Sequence, residues 1–385
     1  MKTRAGDWVE VRSKEEILRT LDKSGRLDGL PFMPQMFNYC GQRFRVHSSA
    51  YKTCDTVSGH YVGRSLPDAV HLNMRCDGQA YGGCQAGCLI FWKNAWLKPV
   101  EGPVLAKPVP DGDPGKVNGL QQQDPCTDRD VWKATTYEDA GRETRYSCQA
   151  TELLNYTAPL KWWDPRQYVE AYTSGNRTLP QVCRGVFYLF YYYATLAFSD
   201  RWGGPARWVY NRFQAVTGGI PFPRVKGKIP VGEPTPRRDL GLQPGDLVRV
   251  RSYDEILATL DTRLSNRGLS IDAELAPFCG KIFRVGTRID RFIDEKNGKM
   301  RSMKTPAVAL DGVICNSLYS GQRMFCPRSI HLWCREIWLE RVSTDAYSGS
   351  ALPIPTGTCS TADKGASSAS DVAAPEWALD PLVKG

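Results

Sequence analysis

The chain has 385 residues, 42% of them apolar and 24% charged, with a formal net charge of +9. It is long enough for two or three domains that each bury a core, and the modest basic surplus permits an anionic partner without requiring one. No run of about 18 apolar residues occurs and no apolar leader follows Met1, Lys2, Thr3 and Arg4, which argues against a transmembrane helix and a secretory signal, so a cytoplasmic chain is expected.

The first element is a short strand opened by Gly6-Asp7 and carrying Trp8, Val9 and Val11. Ser13 with Glu16 then forms an S-x-x-E capping box, and Ile17, Leu18 and Leu21 fall on one face of the helix it starts. A second strand carries Phe44 and Val46, and a closing strand carries Trp96, Leu97 and Val100. The segment from Lys98 to Lys116 is rich in Pro, Gly and Asp and reads as a linker.

After the linker comes a middle segment with helical character. Its most unusual stretch is LPQVCRGVFYLFYYYATLAF, Leu179 to Phe198, which has almost no polar face. The plainest reading is a buried helix, with Cys183 in the core. A tyrosine-lined pocket for an apolar ligand and membrane-surface contact, given Arg201, Arg207 and Arg212 downstream, are the alternatives. A second, proline-rich linker runs from Gly218 to Pro244.

The opening pattern then returns. GDWVEVRSKEEILRTLD, from Gly6 to Asp22, is answered by GDLVRVRSYDEILATLD, from Gly245 to Asp261, at a constant offset of 239 residues. NYCGQRFRV at Asn38 to Val46 answers PFCGKIFRV at Pro277 to Val285, and AWLKPV at Ala95 answers IWLERV at Ile337. The chain is an internal duplication. The second copy differs by a stretch around Asn297-Gly298, a strong hairpin turn between two polar strands.

Several short strands and one small helix per copy predict an α+β protein. Its parts are two small SH3-like β-barrel modules, residues 1–100 and 245–343, joined by a mainly helical segment, residues 119–217. The tail, residues 344–385, is rich in Ser, Ala, Thr and Pro and is expected to be disordered.

Thirteen cysteines in a cytoplasmic chain read better as metal ligands and small buried residues than as disulfides. The run RCDGQAYGGCQAGC places Cys76, Cys84 and Cys88 among glycines, which tolerate positive φ and let a backbone fold tightly round an ion. Cys54, upstream, and His71, in DAVHLNM, are further candidate ligands. Cys126 and Cys148 in the middle segment could complete a site reaching across from Cys84 and Cys88. Zinc wants four such ligands, and iron or an iron–sulfur cluster takes the same residues.

The repeat leaves two groupings open. Cys40, Cys76 and Cys84 recur as Cys279, Cys315 and Cys326, which would give one ion per copy. Cys54 and Cys88 have no such counterparts, so a site on Cys54, Cys76, Cys84 and Cys88 belongs to the first copy alone, and this is the favoured reading. Candidate acid–base groups are His60, in the loop SGHYVG, and Glu152, four residues after Cys148. For both, a turn residue or a capping carboxylate is the blander reading. No Ser-His-Asp constellation, nucleophile elbow, Walker loop or dinucleotide fingerprint is present.

The combination of GDWVEVRSKEEILRTLD, YCGQRFRV, RCDGQAYGGCQAGCLIFWKNAWL and FCPRSIHLWCREIWLERV resembles an uncharacterised bacterial family of tandem cysteine-containing modules. That family is associated with biosynthetic gene neighbourhoods, for polysaccharides and specialised metabolites. The resemblance implies a biosynthetic role and assigns no residue a function. The expectation is therefore a metal-dependent biosynthetic enzyme acting on a small-molecule substrate or with a biosynthetic partner protein. A non-enzymatic module with structural zinc that binds a protein or glycan is the alternative. Nucleic-acid binding is the weakest reading, because lysines and arginines are dispersed rather than clustered.

Overall fold

In a computed structural model describing residues 3–59, 62–102, 125–197, 205, 208–212 and 226–343, the two copies begin alike. Gly6 and Gly245 hold φ of 95° and 99°, and each releases the chain into a four-residue strand, Trp8–Val11 and Leu247–Val250. Ser13 and Ser252 then cap the helices Lys14–Leu18 and Tyr253–Leu257, each with the reciprocal glutamate bond of a capping box. Ile17 and Ile256 bury the inner face of these single-turn helices.

The duplication extends into the cores. A buried indole N–H usually finds an acceptor, and for one matched tryptophan both copies supply the same one. Trp96 Nε1 donates to Thr20 Oγ1 at 3.0 Å, and Trp338 Nε1 donates to Thr259 Oγ1 at 3.0 Å.

The chain divides into two compact units. The first comprises residues 1–182, 291–302 and 325–328; the second comprises residues 183–290, 303–324 and 329–385. Two short segments of the second copy, one at the tip of its hairpin, thus belong to the first unit.

In the first unit Trp8–Val11 is the middle strand of an antiparallel sheet, between Leu97–Pro99 and Arg43–Arg45. A second sheet orders Ala158–Leu160, Gly63–Ser65 and Lys52–Cys54, and a third orders Ser48–Ser49, Ala69–His71 and Trp92–Lys93. Their common core holds Val9, Ile17, Phe32, Trp92 and Trp96, with Ile293 of the hairpin tip packed into it. In the second unit one five-stranded sheet runs His331–Cys334, Lys299–Ile314, Ile282–Asp294, Leu247–Val250 and Leu339–Arg341. Val248, Val250, Ile256, Val308 and Trp338 form its core. Asn297-Gly298 makes the expected turn of the long hairpin, with Gly298 at φ 68° and its N–H on Asp294 O.

The α+β class stands, but the SH3-like barrels do not. No closed barrel is found among the described residues, and the sheets are small, antiparallel and open in strand order. Strands of two to four residues in the first copy pair over too short a length to curl a sheet closed.

The mainly helical joining segment is also corrected. Thr136–Glu138 and Thr144–Tyr146 form a hairpin round Asp139, and Ala158–Leu160 joins the second sheet of the first unit. The β-branched and aromatic residues flanking the Asp139-Gly141 turn decide this locally.

The helix Leu179–Ala197 is 19 residues long. It is not buried all round: Tyr188, Leu189 and Tyr192 are buried, whereas Phe187 and Phe190 are 65% and 75% exposed. Cys183 is exposed rather than in the core. No helix among the described residues is long and apolar enough to cross a membrane. Arg201, Arg207 and the whole 344–385 tail lie outside the described residues.

Candidate metal centre

The run from Arg75 to Leu89 is a loop pinched at its neck. Arg75 pairs with Leu89 in an isolated antiparallel bridge, and the Cys76 N–H donates to Cys88 O at 2.8 Å. Inside the neck the chain must turn sharply, and Gly78, Gly82, Gly83 and Gly87 all hold positive φ. Gly78 has a second reason to lack a side chain. A Cβ there would stand 2.0 Å from Cys84 O.

This folding brings Cys76, Cys84 and Cys88 to one cavity of about 40 Å³. Cys148 of the middle segment lines the same cavity, together with Glu295 and Arg328. Much of the remaining wall is apolar, with Met33, Tyr81, Phe91 and Ile293 among its residues. The hairpin tip is fastened to the loop by paired bonds. Gln85 N–H donates to Arg291 O at 3.1 Å, and Arg291 N–H returns a bond to Gln85 Oε1 at 2.9 Å.

Three of the sulfurs accept hydrogen bonds. Gln35 Nε2 donates to Cys76 Sγ at 3.2 Å, Ile293 N–H to Cys84 Sγ at 3.4 Å, and Thr151 Oγ1 to Cys148 Sγ at 3.9 Å. Burial pushes the Cys76 thiol up to about 12 and the Cys148 thiol up to about 11. Cys88 is raised well above its ordinary value by burial and then by Glu295. As free thiols they are protonated at neutral pH and poor nucleophiles. A soft cation would displace those protons, since thiolate is the ligating form. Among the described residues, no three His, Cys, Asp or Glu side chains converge in an arrangement that could hold a metal ion.

Arg328 is buried and pairs with Glu295, Nη2 donating to both carboxylate oxygens at 3.1 Å. Its Nη1 donates to Thr56 Oγ1 at 2.7 Å and to Cys54 O at 3.2 Å. Burial opposes the guanidinium charge, but Glu295, then Cys54 and Cys88, outweigh it and keep Arg328 firmly protonated.

The other candidates fall in several places. Cys54 is buried with its sulfur 4.0 Å from Arg328 Nη1, one residue removed from the cavity wall. His71 is fully buried, its Nδ1 2.8 Å from Ile90 O, and burial pushes it down to about 3, so it is neutral. Nδ1–H as donor leaves Nε2 the bare nitrogen, and Nε2 is buried without a partner.

Cys126 packs elsewhere, in the core near Asp130 and Asp22. Glu152 is engaged by Arg26 Nη1 at 2.7 Å and by Ser147 and Asn155. Burial raises its carboxyl, yet those bonds hold it below its ordinary value, the state of a structural anion. His60 lies outside the described residues. Of the trio shared by both copies, Cys40 sits at the end of the 3₁₀ turn Pro34–Tyr39, not at the cavity. Cys326 belongs to the first unit and Cys315 to the second.

Sequence reasoning missed Arg328, Glu295 and Lys52. The repeat offered a signal for Arg328, which falls where the first copy has Ala86, two residues after the matched Cys84 and Cys326. Lys52 is wholly buried, donates from Nζ to Gln167 Oε1 at 2.9 Å, and faces the rings of Tyr51 at 5.5 Å and Tyr168 at 5.6 Å. Burial pushes its ammonium down to about 7. Gln167 and Tyr51 also line an open groove of about 840 Å³.

No protein-family model matches the chain, and no curated protein or solved structure matches it.

Proposed function

We propose that the chain is a metal-dependent enzyme whose metal centre is the cysteine cavity of the first unit. Cys76, Cys84, Cys88 and Cys148 line that cavity without converging as they stand, and they are the residues that would have to draw together to hold the metal, as thiolates. A thiolate-bound metal supplies Lewis-acid or redox chemistry in a pocket of this kind. The chain's own part is to exclude water with Met33, Tyr81, Phe91 and Ile293, and to set one fixed cation and one carboxylate in the wall. Arg328 can orient an anionic group, and Glu295 can accept a proton once substrate draws it from the guanidinium.

The observation that carries the reading is this ion pair opening on the same cavity as four thiols. A buried pair is costly to desolvate and adds little net stability, so stability alone does not account for it. The four-cysteine wall itself favours a second reading, a closed structural zinc site serving a binding module. The family resemblance supports a biosynthetic setting for either.

Cobalt substitution separates the two. With Co²⁺ in place of the native metal, an open centre changes its visible spectrum when azide or a small thiol is added, and a closed site does not. An unresponsive four-sulfur cobalt spectrum would overturn the enzymatic reading.

A further inference from the structure

We infer that the open groove of the first unit is a binding site for a neutral oligosaccharide. The groove holds about 840 Å³, within the size range of small-molecule sites, and shares no lining residue with the cysteine cavity. Trp163 lines it and is 60% exposed, a large apolar ring left in water beside a concave surface. The negative face of an indole attracts polarised C–H groups, and a sugar ring presents a whole face of them.

The segment that carries Trp163 is held in place before any ligand arrives. Gln167 Nε2 donates to Lys161 O at 2.9 Å and to Trp162 O at 3.1 Å, and Tyr168 Oη donates to Trp162 O as well. Buried Lys52 fixes Gln167 from behind, Nζ on Oε1 at 2.9 Å. Such a platform loses little freedom on binding. Next to it Arg166 chelates Asp164, Nε reaching Oδ1 at 3.0 Å and Nη2 reaching Oδ2 at 2.6 Å. The pair sets donors and acceptors side by side, and Asp68 adds an exposed carboxylate to the groove. Sugar hydroxyls, each donor and acceptor at once, match that pattern.

Charge and backbone argue against the other ligand classes. Three carboxylates, Asp68, Asp164 and Glu170, line the groove against two cations, Lys161 and Arg166. Both cations are engaged, Arg166 by Asp164 and Lys161 over the Trp163 ring at 5.0 Å, so a polyanion is not favoured. Ala158–Leu160 lines the groove as the outer strand of its sheet, where a peptide could add. Pro159 at its centre has no N–H to offer such a strand.

The test is titration calorimetry of the full chain with linear hexasaccharides of glucose and of N-acetylglucosamine, and with dextran sulfate and unfolded casein. The expected result is a Kd of about 1 mM or tighter for at least one neutral hexasaccharide. Trp163→Ala should weaken it at least about tenfold and Trp163→Phe by no more than about threefold. Trp132→Ala, which removes an exposed tryptophan outside the groove, should leave it unchanged. Binding of dextran sulfate or casein alone, no binding of either sugar series, or undiminished affinity in Trp163→Ala would each overturn the assignment.

Discussion

Arg328 carries the strongest prediction made by any one residue. Replacing it by Met leaves Glu295 in the wall without its bidentate partner, and breaking a buried pair typically costs about 3–5 kcal/mol. Glu295 is 23% exposed, so the lower end applies, about 3 kcal/mol. Urea denaturation of Arg328→Met and of the Arg328→Met/Glu295→Gln pair should show the double variant recovering part of that loss. His71 gives a pH prediction. Its folded pKa, about 3, lies below the ordinary value of about 6.5. The unfolded chain therefore binds a proton first as pH falls, so this contribution is complete above about 6.5 and is lost on the way down to about 3. His71→Leu should flatten the stability profile between pH 7 and pH 4; an unchanged slope would refute the assignment. These residues were unevenly legible. Cysteine spacing and glycine content marked the loop that holds Cys76, Cys84 and Cys88, because a local run carries its own geometry. Arg328 and Glu295 come from about 200 residues away, and nothing local announces where a remote arginine will be buried.

At the scale of elements, the cysteine loop stands or falls with its glycines. Gly78→Ala would push a methyl against Cys84 O, whereas Gly41, with φ 73°, has nothing within 4 Å of the same position. Gly41→Ala should cost about 1 kcal/mol of backbone strain alone. Gly78→Ala should cost clearly more and abolish metal uptake, read by thermal melting and metal analysis. The capping boxes were fully legible, since Ser-x-x-Glu is satisfied within four residues; Ser13→Ala and Ser252→Ala should each cost about 1 kcal/mol. The helical expectation for the middle segment failed over residues 136–160. There, a local hairpin joins Thr136–Glu138 to Thr144–Tyr146, and Ala158–Leu160 is fixed by its remote partner Gly63–Ser65 rather than by any periodicity of its own.

Over the whole molecule, the duplication was legible because it is written twice, and the matched Trp–Thr bonds show it reaching the cores. What the repeat concealed is the asymmetry. Hairpin residues 291–302 and the segment 325–328 of the second copy belong to the first unit, where Ile293, Glu295 and Arg328 finish the cavity wall. A site assembled from one copy's cysteines, a cysteine of the middle segment and the other copy's ion pair has no signature in either copy alone. Its central claim is that Cys76, Cys84, Cys88 and Cys148 together hold a metal. X-ray absorption at the metal edge of the purified full chain tests this most directly. The account predicts a first shell made of sulfur at about 2.3 Å; a shell of nitrogen and oxygen, or protein that binds no metal, would contradict it.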